Sequence, residues 1–323
     1  MITMNIIEAV VLHRPATPEL RFLPEGPYSL ADGRFSWVAI QHGAAAAEGS
    51  LNIFDLTNGT SESRTLPGRP GFAFPCSQQG LFVVGLERSV GLCNWDTQEW
   101  TPFITDTDIE TDVSNTIIND AVTWDDNLIF GCKELEFTTP KAGLYLYRGS
   151  DRTVHRLRND QICSNGKAVI ADKAGALLLY DIDSPTKTIV RRHLNLEDAT
   201  VSEAETVVDL QAGTVFPDGM ILTPDHRSLI VALYDPGDPD AGEAHQYSLD
   251  DGSLQTIWRC PGSPRVTCPQ LIRRNGTVQL LLTTAVEHMP ADQQQRHPNA
   301  GCLFIAETSF QETGDQPRFT APD

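Results

Sequence analysis

Four oxygen-bearing side chains recur at a nearly constant interval along this sequence: Glu25, Asn119, Asn165 and Asp218. They belong to a series of six positions that also includes Phe72 and Cys268, and successive members are 47, 47, 46, 53 and 50 residues apart. Carboxylate and amide oxygens are the ligands that hard divalent cations prefer. Two carboxylates brought close together repel each other unless a cation lies between them. The series therefore predicts a site for one divalent cation, with Ca²⁺, Mg²⁺, Mn²⁺ and Zn²⁺ as the possible ions.

Asn and Asp residues in front of strands are also common turn formers, which offers another explanation for any single position of the series. A turn former needs no fixed phase within a repeat. Because the four residues share one phase, we expect them to converge at one place in the fold.

The elements that position these residues are short strands separated by turn residues. Ten segments show the apolar or alternating pattern of a strand: 35–40, 51–56, 81–86, 128–132, 144–148, 177–182, 229–234, 244–249, 278–284 and 302–306. A period near 50 residues with several strands in each unit is typical of a β-propeller. We predict an all-β, six-bladed β-propeller that forms a single domain over residues 1–323.

Within each repeat we expect the polar residue to precede the first long strand, which begins about nine to twelve residues later. In this arrangement the six equivalent positions lie at one end of the central channel. A strand near Glu8–Leu12 is predicted to complete the last blade beside Cys302–Ala306, which leaves no unpaired central edge.

Composition excludes several classes of partner. The chain has 24 Lys and Arg against 43 Asp and Glu, for a net charge of −19, and so it repels nucleic-acid backbones. Its apolar runs stop well short of the ~20 residues needed to cross a bilayer, which predicts no membrane partner. The start of the sequence lacks the basic segment of a secretory signal. Seven cysteines without a C-x-x-C pair indicate buried thiols and a cytoplasmic location. The histidines match no zinc spacing, and we expect them on the surface or in loops, as at His245 and His297.

The residues around the series also resemble the motifs of a known family. The matching segments, in order, are Pro24-Glu25-Gly26-Pro27, Asn119-Asp120, Ser164-Asn165-Gly166, Asp183-Ser184-Pro185-Thr186, Pro217-Asp218-Gly219-Met220, Cys268-Pro269 and Gly301-Cys302-Leu303-Phe304. The sequence resembles the senescence marker protein/gluconolactonase/luciferin-regenerating enzyme (regucalcin-like) family over roughly residues 20 to 306. Members of that family are six-bladed propellers, so the resemblance implies the same fold.

The resemblance implies a site as well as a fold. Its metal ligands correspond to Glu25, Asn165 and Asp218, while Asn119 would hold substrate or a coordinated water. Glu136 would reach a substrate hydroxyl. The family's second motif begins with an Arg that binds substrate oxygens, and this chain has Ile117 there, so Lys133 is the candidate for a replacement charge.

These residues predict a metal-dependent hydrolase that opens a lactone, with Asp218 as the catalytic general acid and base. Because Ile117 cannot bond to a polar substrate, we expect a less polar or differently charged lactone or ester than a sugar lactone. The sequence contains no Gly-x-Ser-x-Gly motif of a serine hydrolase. The alternative function is a metal-containing propeller that binds a ligand or a protein without chemistry.

Overall fold

The computed structural model describes residues 5–30 and 33–322 of the protein. Within these residues the strands form six sheets, with two short α-helices and one 3₁₀ turn (Ser184–Thr186) beside them. The described part of the chain begins with two strands and one helix: β1 (Asn5–Glu8), β2 (Val10–His13) and α1 (Pro18–Phe22). Pro18 occupies the first turn of α1, and the Thr17 side chain accepts a hydrogen bond from the Leu20 backbone N–H, which caps the helix.

Six consecutive meanders follow, which we number blades 1 to 6. Blade 1 comprises β3 (Pro24–Ser29), β4 (Arg34–Ala39), β5 (Gly49–Asp55) and β6 (Ser61–Leu66). Blade 2 comprises β7 (Pro70–Pro75), β8 (Leu81–Leu86), β9 (Ser89–Asn94) and β10 (Trp100–Ile104). Blade 3 comprises β11 (Thr116–Trp124), β12 (Asn127–Glu134), β13 (Ala142–Arg148) and β14 (Thr153–Gln161).

The remaining blades repeat this pattern with additions. Blade 4 comprises β15 (Ser164–Ala171), β16 (Leu177–Asp183), β17 (Thr188–Asn195), β18 (Thr200–Val201) and β19 (Glu205–Asp209). Blade 5 comprises β20 (Phe216–Leu222), β21 (Ser228–Tyr234), β22 (Ala241–Ser248) and β23 (Leu254–Pro261). Blade 6 comprises β24 (Val266–Arg274), β25 (Thr277–Thr284) and β26 (Leu303–Glu307), with helix α2 (Ala291–Arg296) before β26. All ten strands expected from the sequence are present, and the all-β, six-bladed prediction is confirmed.

The N-terminal strands extend the last two blades. Strand β2 pairs with β26 in antiparallel register, with Val10 opposite Ile305, and so completes blade 6 as expected from the sequence. Strand β1 adds to blade 5 by pairing in parallel with β23, with Ile6 opposite Ile257. This second pairing was not expected from the sequence.

The chain divides into two compact units. The first unit comprises Met1–Arg69 and Val208–Gln316 and holds blades 1, 5 and 6. The second unit comprises Pro70–Val207 and Pro317–Asp323 and holds blades 2, 3 and 4. The single domain expected over residues 1–323 stays a prediction.

Neighbouring blades within each unit pack through buried apolar side chains. In the first unit these include Ile230, Trp258, Leu280 and Phe304 between blades 5 and 6, and Phe35, Trp37, Leu281 and Leu303 between blades 6 and 1. In the second unit they include Phe72, Ile118, Phe130 and Tyr145 between blades 2 and 3, and Ile129, Leu146 and Leu179 between blades 3 and 4. Neither helix in the described part of the chain has the length or apolar character needed to cross a bilayer.

One part of the predicted register is wrong. The six equivalent residues do not precede the first strand of each blade; each lies inside it. The strands predicted to be first, such as those at 35–40 and 128–132, are the second strands β4 and β12. The true first strands were missed because glycine, proline and polar residues interrupt their apolar pattern.

Candidate functional site

Each of the six first strands contains a β-bulge at the position singled out by the sequence repeat. The register against the second strand shifts at Glu25/Tyr28, Pro70/Phe72, Ile118/Ala121, Asn165/Lys167, Pro217/Met220 and Val266/Cys268. A bulge inserts an extra residue, increases the local twist and redirects the side chains beside it. The six positions are therefore structurally equivalent within their blades, and four of them carry side-chain oxygens.

In the first unit, two acidic residues flank the start of blade 6. Strand β24 contacts both β20, which carries Asp218, and β3, which carries Glu25. The Thr267 hydroxyl donates a 2.7 Å hydrogen bond to the carbonyl of Pro24, next to Glu25. On the other side, a Cβ built on Gly219, next to Asp218, would lie only 2.6 Å from the Sγ of Cys268. The Thr267–Cys268 dipeptide therefore contacts Pro24, next to Glu25, and also packs against Gly219, next to Asp218.

The two acidic side chains differ in exposure. Asp218 is buried, with 8% of its surface accessible, whereas Glu25 is half-buried. The Glu25 carboxylate accepts a 2.9 Å hydrogen bond from the backbone N–H of Gly26, whose φ of 51° favours glycine. This contact orients the Glu25 side chain at the bulge.

A half-buried tyrosine, Tyr234, lies within the electrostatic influence of Asp218. Burial raises the pKa of Tyr234, and the negative charges of Glu287 and Asp218 raise it further, so the phenol stays protonated. Its hydroxyl donates a 3.0 Å hydrogen bond to the carbonyl of Glu287, and the Arg265 guanidinium lies 5.4 Å from the ring centre. Arg265 also donates to the Glu287 carbonyl. These contacts fix the loop after β25 near the strand that follows Asp218.

In the second unit, the two asparagines of the series are hydrogen-bonded to each other. The Asn119 Nδ2 donates to the Oδ1 of Asn165 at 3.1 Å and to the carbonyl of Ser164 at 2.9 Å. The Nδ2 of Asn165 donates to the Ser184 hydroxyl at 2.9 Å, which fixes the orientation of the amide. A carbonyl oxygen has two lone pairs, and Asn119 uses one of those on Asn165 Oδ1. The chemistry of this amide oxygen fits a hard divalent cation.

Lys133 and Glu136 have different environments. Lys133 is buried on β12 directly opposite Ile117, and directly opposed residues share one face of a sheet. Glu136 is exposed in the turn after β12. The buried acid of this region is Glu134, which accepts a 2.9 Å hydrogen bond from the Thr138 N–H.

Two histidines were expected on the surface or in loops: His297 does lie in the loop after α2, whereas His245 lies in a strand, and neither is exposed. His297 is buried beside α2, and its Nε2 lies 2.5 Å from Asp238. His245 lies inside strand β22, within 2.7 Å of Glu243 and 2.8 Å of the Tyr247 hydroxyl. Their nearby carboxylates explain the difference, because a hydrogen-bonded imidazole can be buried.

Residues 5–30 and 33–322 contain no group of three or more His, Cys, Asp and Glu side chains that could hold a metal ion. The ligand set expected from the sequence contains only two residues of these types, Glu25 and Asp218, with the amide of Asn165 as the third. The metal site stays a prediction, and so do the roles of Asn119, Lys133 and Glu136.

Comparison with known proteins defines the class. The chain has a TM-score of 0.80 with the crystal structure of regucalcin, a calcium-binding protein from Agrobacterium tumefaciens, at 20% identity, covering 98% of this chain and 99% of that one. At this level of identity the likeness shows the fold, a six-bladed β-propeller. Residues 23–286 match the SMP-30/gluconolactonase/LRE-like region. The chain belongs to this family.

Two curated proteins are similar over part of their length. An uncharacterized protein from Sulfolobus acidocaldarius is 31% identical over 158 residues, which are 49% of this chain and 53% of that protein. The putative sugar lactone lactonase YvrE from Bacillus subtilis is 28% identical over 185 residues, which are 57% of this chain and 58% of that protein. The matching region therefore spans between half and three fifths of the length of each curated relative.

Proposed function

We propose that this protein is a metal-dependent lactone hydrolase. The observation that carries the proposal is the presence of Glu25, Asn119, Asn165 and Asp218 at four equivalent bulges of a chain from the gluconolactonase family. The similarity to a putative sugar lactone lactonase supports the same reaction class. A small-molecule lactone or ester is the proposed substrate.

The proposed ligands of one divalent cation are Glu25, Asn165 and Asp218. Two carboxylates and one amide oxygen suit Ca²⁺, Mg²⁺, Mn²⁺ or Zn²⁺, and the calcium-binding regucalcin of similar fold is consistent with the first. When bound, such a cation polarises a lactone carbonyl and lowers the pKa of a bound water.

The chain's own residues would carry the proton and hold the substrate. Asp218 accepts the proton of the attacking water and returns it to the alkoxide that leaves when the ring opens, a contribution of about 10²–10⁴-fold. The Asn119 amide donates to substrate or to a water, and Glu136 would bond to a substrate hydroxyl.

The substrate differs from a fully hydroxylated sugar lactone in this proposal. Ile117 offers no hydrogen bond, whereas Lys133 stands opposite it across the β11–β12 ladder and carries a positive charge. A lactone or ester with an anionic or less polar substituent fits this pair best.

A screen of lactones and esters with a pH indicator tests the proposal. Acid release should require Ca²⁺, Mg²⁺, Mn²⁺ or Zn²⁺ added separately to chelator-treated protein, and gluconolactone should be a poorer substrate than less polar lactones. Efficient opening of gluconolactone would refute the proposed change in substrate preference but would still support the proposed lactone hydrolase activity. Absence of turnover across the panel, with metal bound, would favour the non-catalytic binding protein.

A further inference from the structure

A buried lysine, Lys167, contacts the backbone beside the asparagine pair of the second unit. The side chain of Lys167 is fully buried on β15, two residues after Asn165. A lysine on a strand is usually exposed, because its charge is costly to remove from water unless it is paired and hydrogen-bonded. Its contacts therefore show what the buried charge stabilises.

The Lys167 ammonium binds the bulge that carries Asn165. Its Nζ donates to the backbone carbonyl of Asn165 at 2.6 Å and to the Ser164 hydroxyl at 2.7 Å. The register against β16 shifts between Asn165 and Lys167, so the bulge interrupts the regular ladder at this point. The lysine supplies a hydrogen-bond donor where the ladder is interrupted.

The position of the ammonium is fixed from the neighbouring strand. Asp181 stands opposite Lys167 on β16, and its buried Oδ1 lies 3.5 Å from the lysine Nζ. That oxygen accepts no hydrogen bond from the described residues, so the positive charge of Lys167 offsets the cost of burying the Asp181 carboxylate. The other oxygen of Asp181 accepts a 2.6 Å hydrogen bond from Gln161.

Close packing leaves the lysine and Ser164 little room to move. A Cβ built on Gly131 of β12 would overlap the Ser164 hydroxyl and lie 3.2 Å from the lysine Nζ. Ser164 in turn presents its carbonyl to the Nδ2 of Asn119 at 2.9 Å. The Lys167 contacts thus reach both asparagines: Asn165 through its own carbonyl and Asn119 through Ser164.

We propose that Lys167, held by Asp181, is a positioning residue that fixes the Ser164–Asn165 bulge and so orients the side-chain amides of Asn165 and Asn119. This inference rests on the proposed role of Asn165 as a metal ligand. Residues that orient metal ligands typically change metal affinity by about 10- to 100-fold when replaced.

The test separates positioning from simple charge neutralisation. Lys167→Met removes the ammonium but leaves the Asp181 carboxylate buried and uncompensated, so the protein should be less stable in urea. The double variant Lys167→Met/Asp181→Asn removes both charges of the pair and should recover part of that stability, because Asp120 and Asp183, which also interact with the Lys167 charge, remain. Lys173→Met, an exposed lysine in the β15–β16 turn, is the matched control.

Calcium titration of the metal-free proteins by calorimetry gives the first measurement. We expect the Ca²⁺ Kd to rise about tenfold or more in both Lys167→Met and the double variant, and to stay unchanged in Lys173→Met. If the double variant binds Ca²⁺ within twofold of the parent, Lys167 serves only to neutralise Asp181 and the proposal is wrong.

A spectrum of the metal-free proteins labelled with ¹⁵N-asparagine gives the second measurement. The side-chain amide signals of Asn119 and Asn165, assigned with Asn119→Asp and Asn165→Asp, should shift in both Lys167 variants and stay in place in the control. If the parent binds none of Ca²⁺, Mg²⁺, Mn²⁺ and Zn²⁺, the proposed metal site fails, while these signals still decide the inference about Lys167. Unshifted signals in the double variant would overturn it.

Discussion

Replacing Gly219 with alanine should disturb Asp218 through a steric contact alone. The Cβ of the variant would lie 2.6 Å from Cys268 Sγ and 2.8 Å from both Cys268 Cβ and the Thr267 carbonyl oxygen. Ordinary contacts between such atoms need about 3.5–4.0 Å, so β20 and β24 must separate by roughly 1 Å. Overpacking of this kind costs about 1–3 kcal/mol.

The separation of β20 from β24 should also displace the proposed metal ligands. Gly219 follows Asp218 directly, and Thr267 is hydrogen-bonded to the carbonyl next to Glu25. We therefore expect Gly219→Ala to lower the urea midpoint of the metal-free protein without changing the denaturant slope, and to weaken Ca²⁺ binding. Urea unfolding followed by tryptophan fluorescence and calcium calorimetry measure the two effects.

Gly213→Ala is the control for this prediction. A Cβ on Gly213 would approach only the Leu210 carbonyl, at 3.4 Å, and the side chain of Val215, at 4.0 Å. This substitution should leave the free energy of unfolding within about 1 kcal/mol of the parent, because only chain entropy changes. If Gly219→Ala is as stable as this control and binds Ca²⁺ equally well, the close approach of β20 to β24 does not position Asp218.

Three further predictions follow from single side chains. Lys133→Ala should raise KM for the best lactone of the panel with little change in kcat, because substrate binding is a ground-state role; an unchanged KM with reduced kcat would contradict that role. Tyr234→Phe should destabilise the protein by about 1 kcal/mol in urea unfolding, because the Glu287 carbonyl loses one hydrogen-bond donor; an unchanged midpoint would show that this bond contributes nothing. Thiol titration of the native protein should show one fast-reacting cysteine, and this fast phase should be absent in Cys268→Ser. Cys268 alone among the seven cysteines is not buried, whereas burial raises the pKa of a thiol such as Cys76 to about 12. Two or more fast-reacting thiols would contradict the burial of the other six.

The strands that form the middle of each blade could be predicted from the sequence because their side chains are apolar on both faces. Strand β8 begins and ends where the pattern places it, at Leu81 and Leu86. The repeat near 50 residues also gave the number of blades. The apolar pattern of a strand is local and the repeat is periodic, so both can be recognised without knowing which strands pair.

The bulges could not be predicted, because a bulge is defined by the register against a partner strand. The sequence placed Glu25 and Asp218 at equivalent positions, but ahead of the first strands and not inside them. The burial of Lys167 was missed for a related reason. Its partner Asp181 lies on the next strand, and only the pairing of β15 with β16 brings the two charges together.

The most direct test of the proposed function is the rate of lactone opening by Asp218→Asn at saturating divalent cation. The substitution keeps the size of the side chain and removes its ability to carry the proton. Circular dichroism should confirm that the variant is folded. We expect kcat to fall at least about 100-fold relative to the parent, whose own activity should vanish with chelator and return with metal. A variant whose kcat stays within threefold of the parent, or a parent activity that survives chelation, would contradict the proposal.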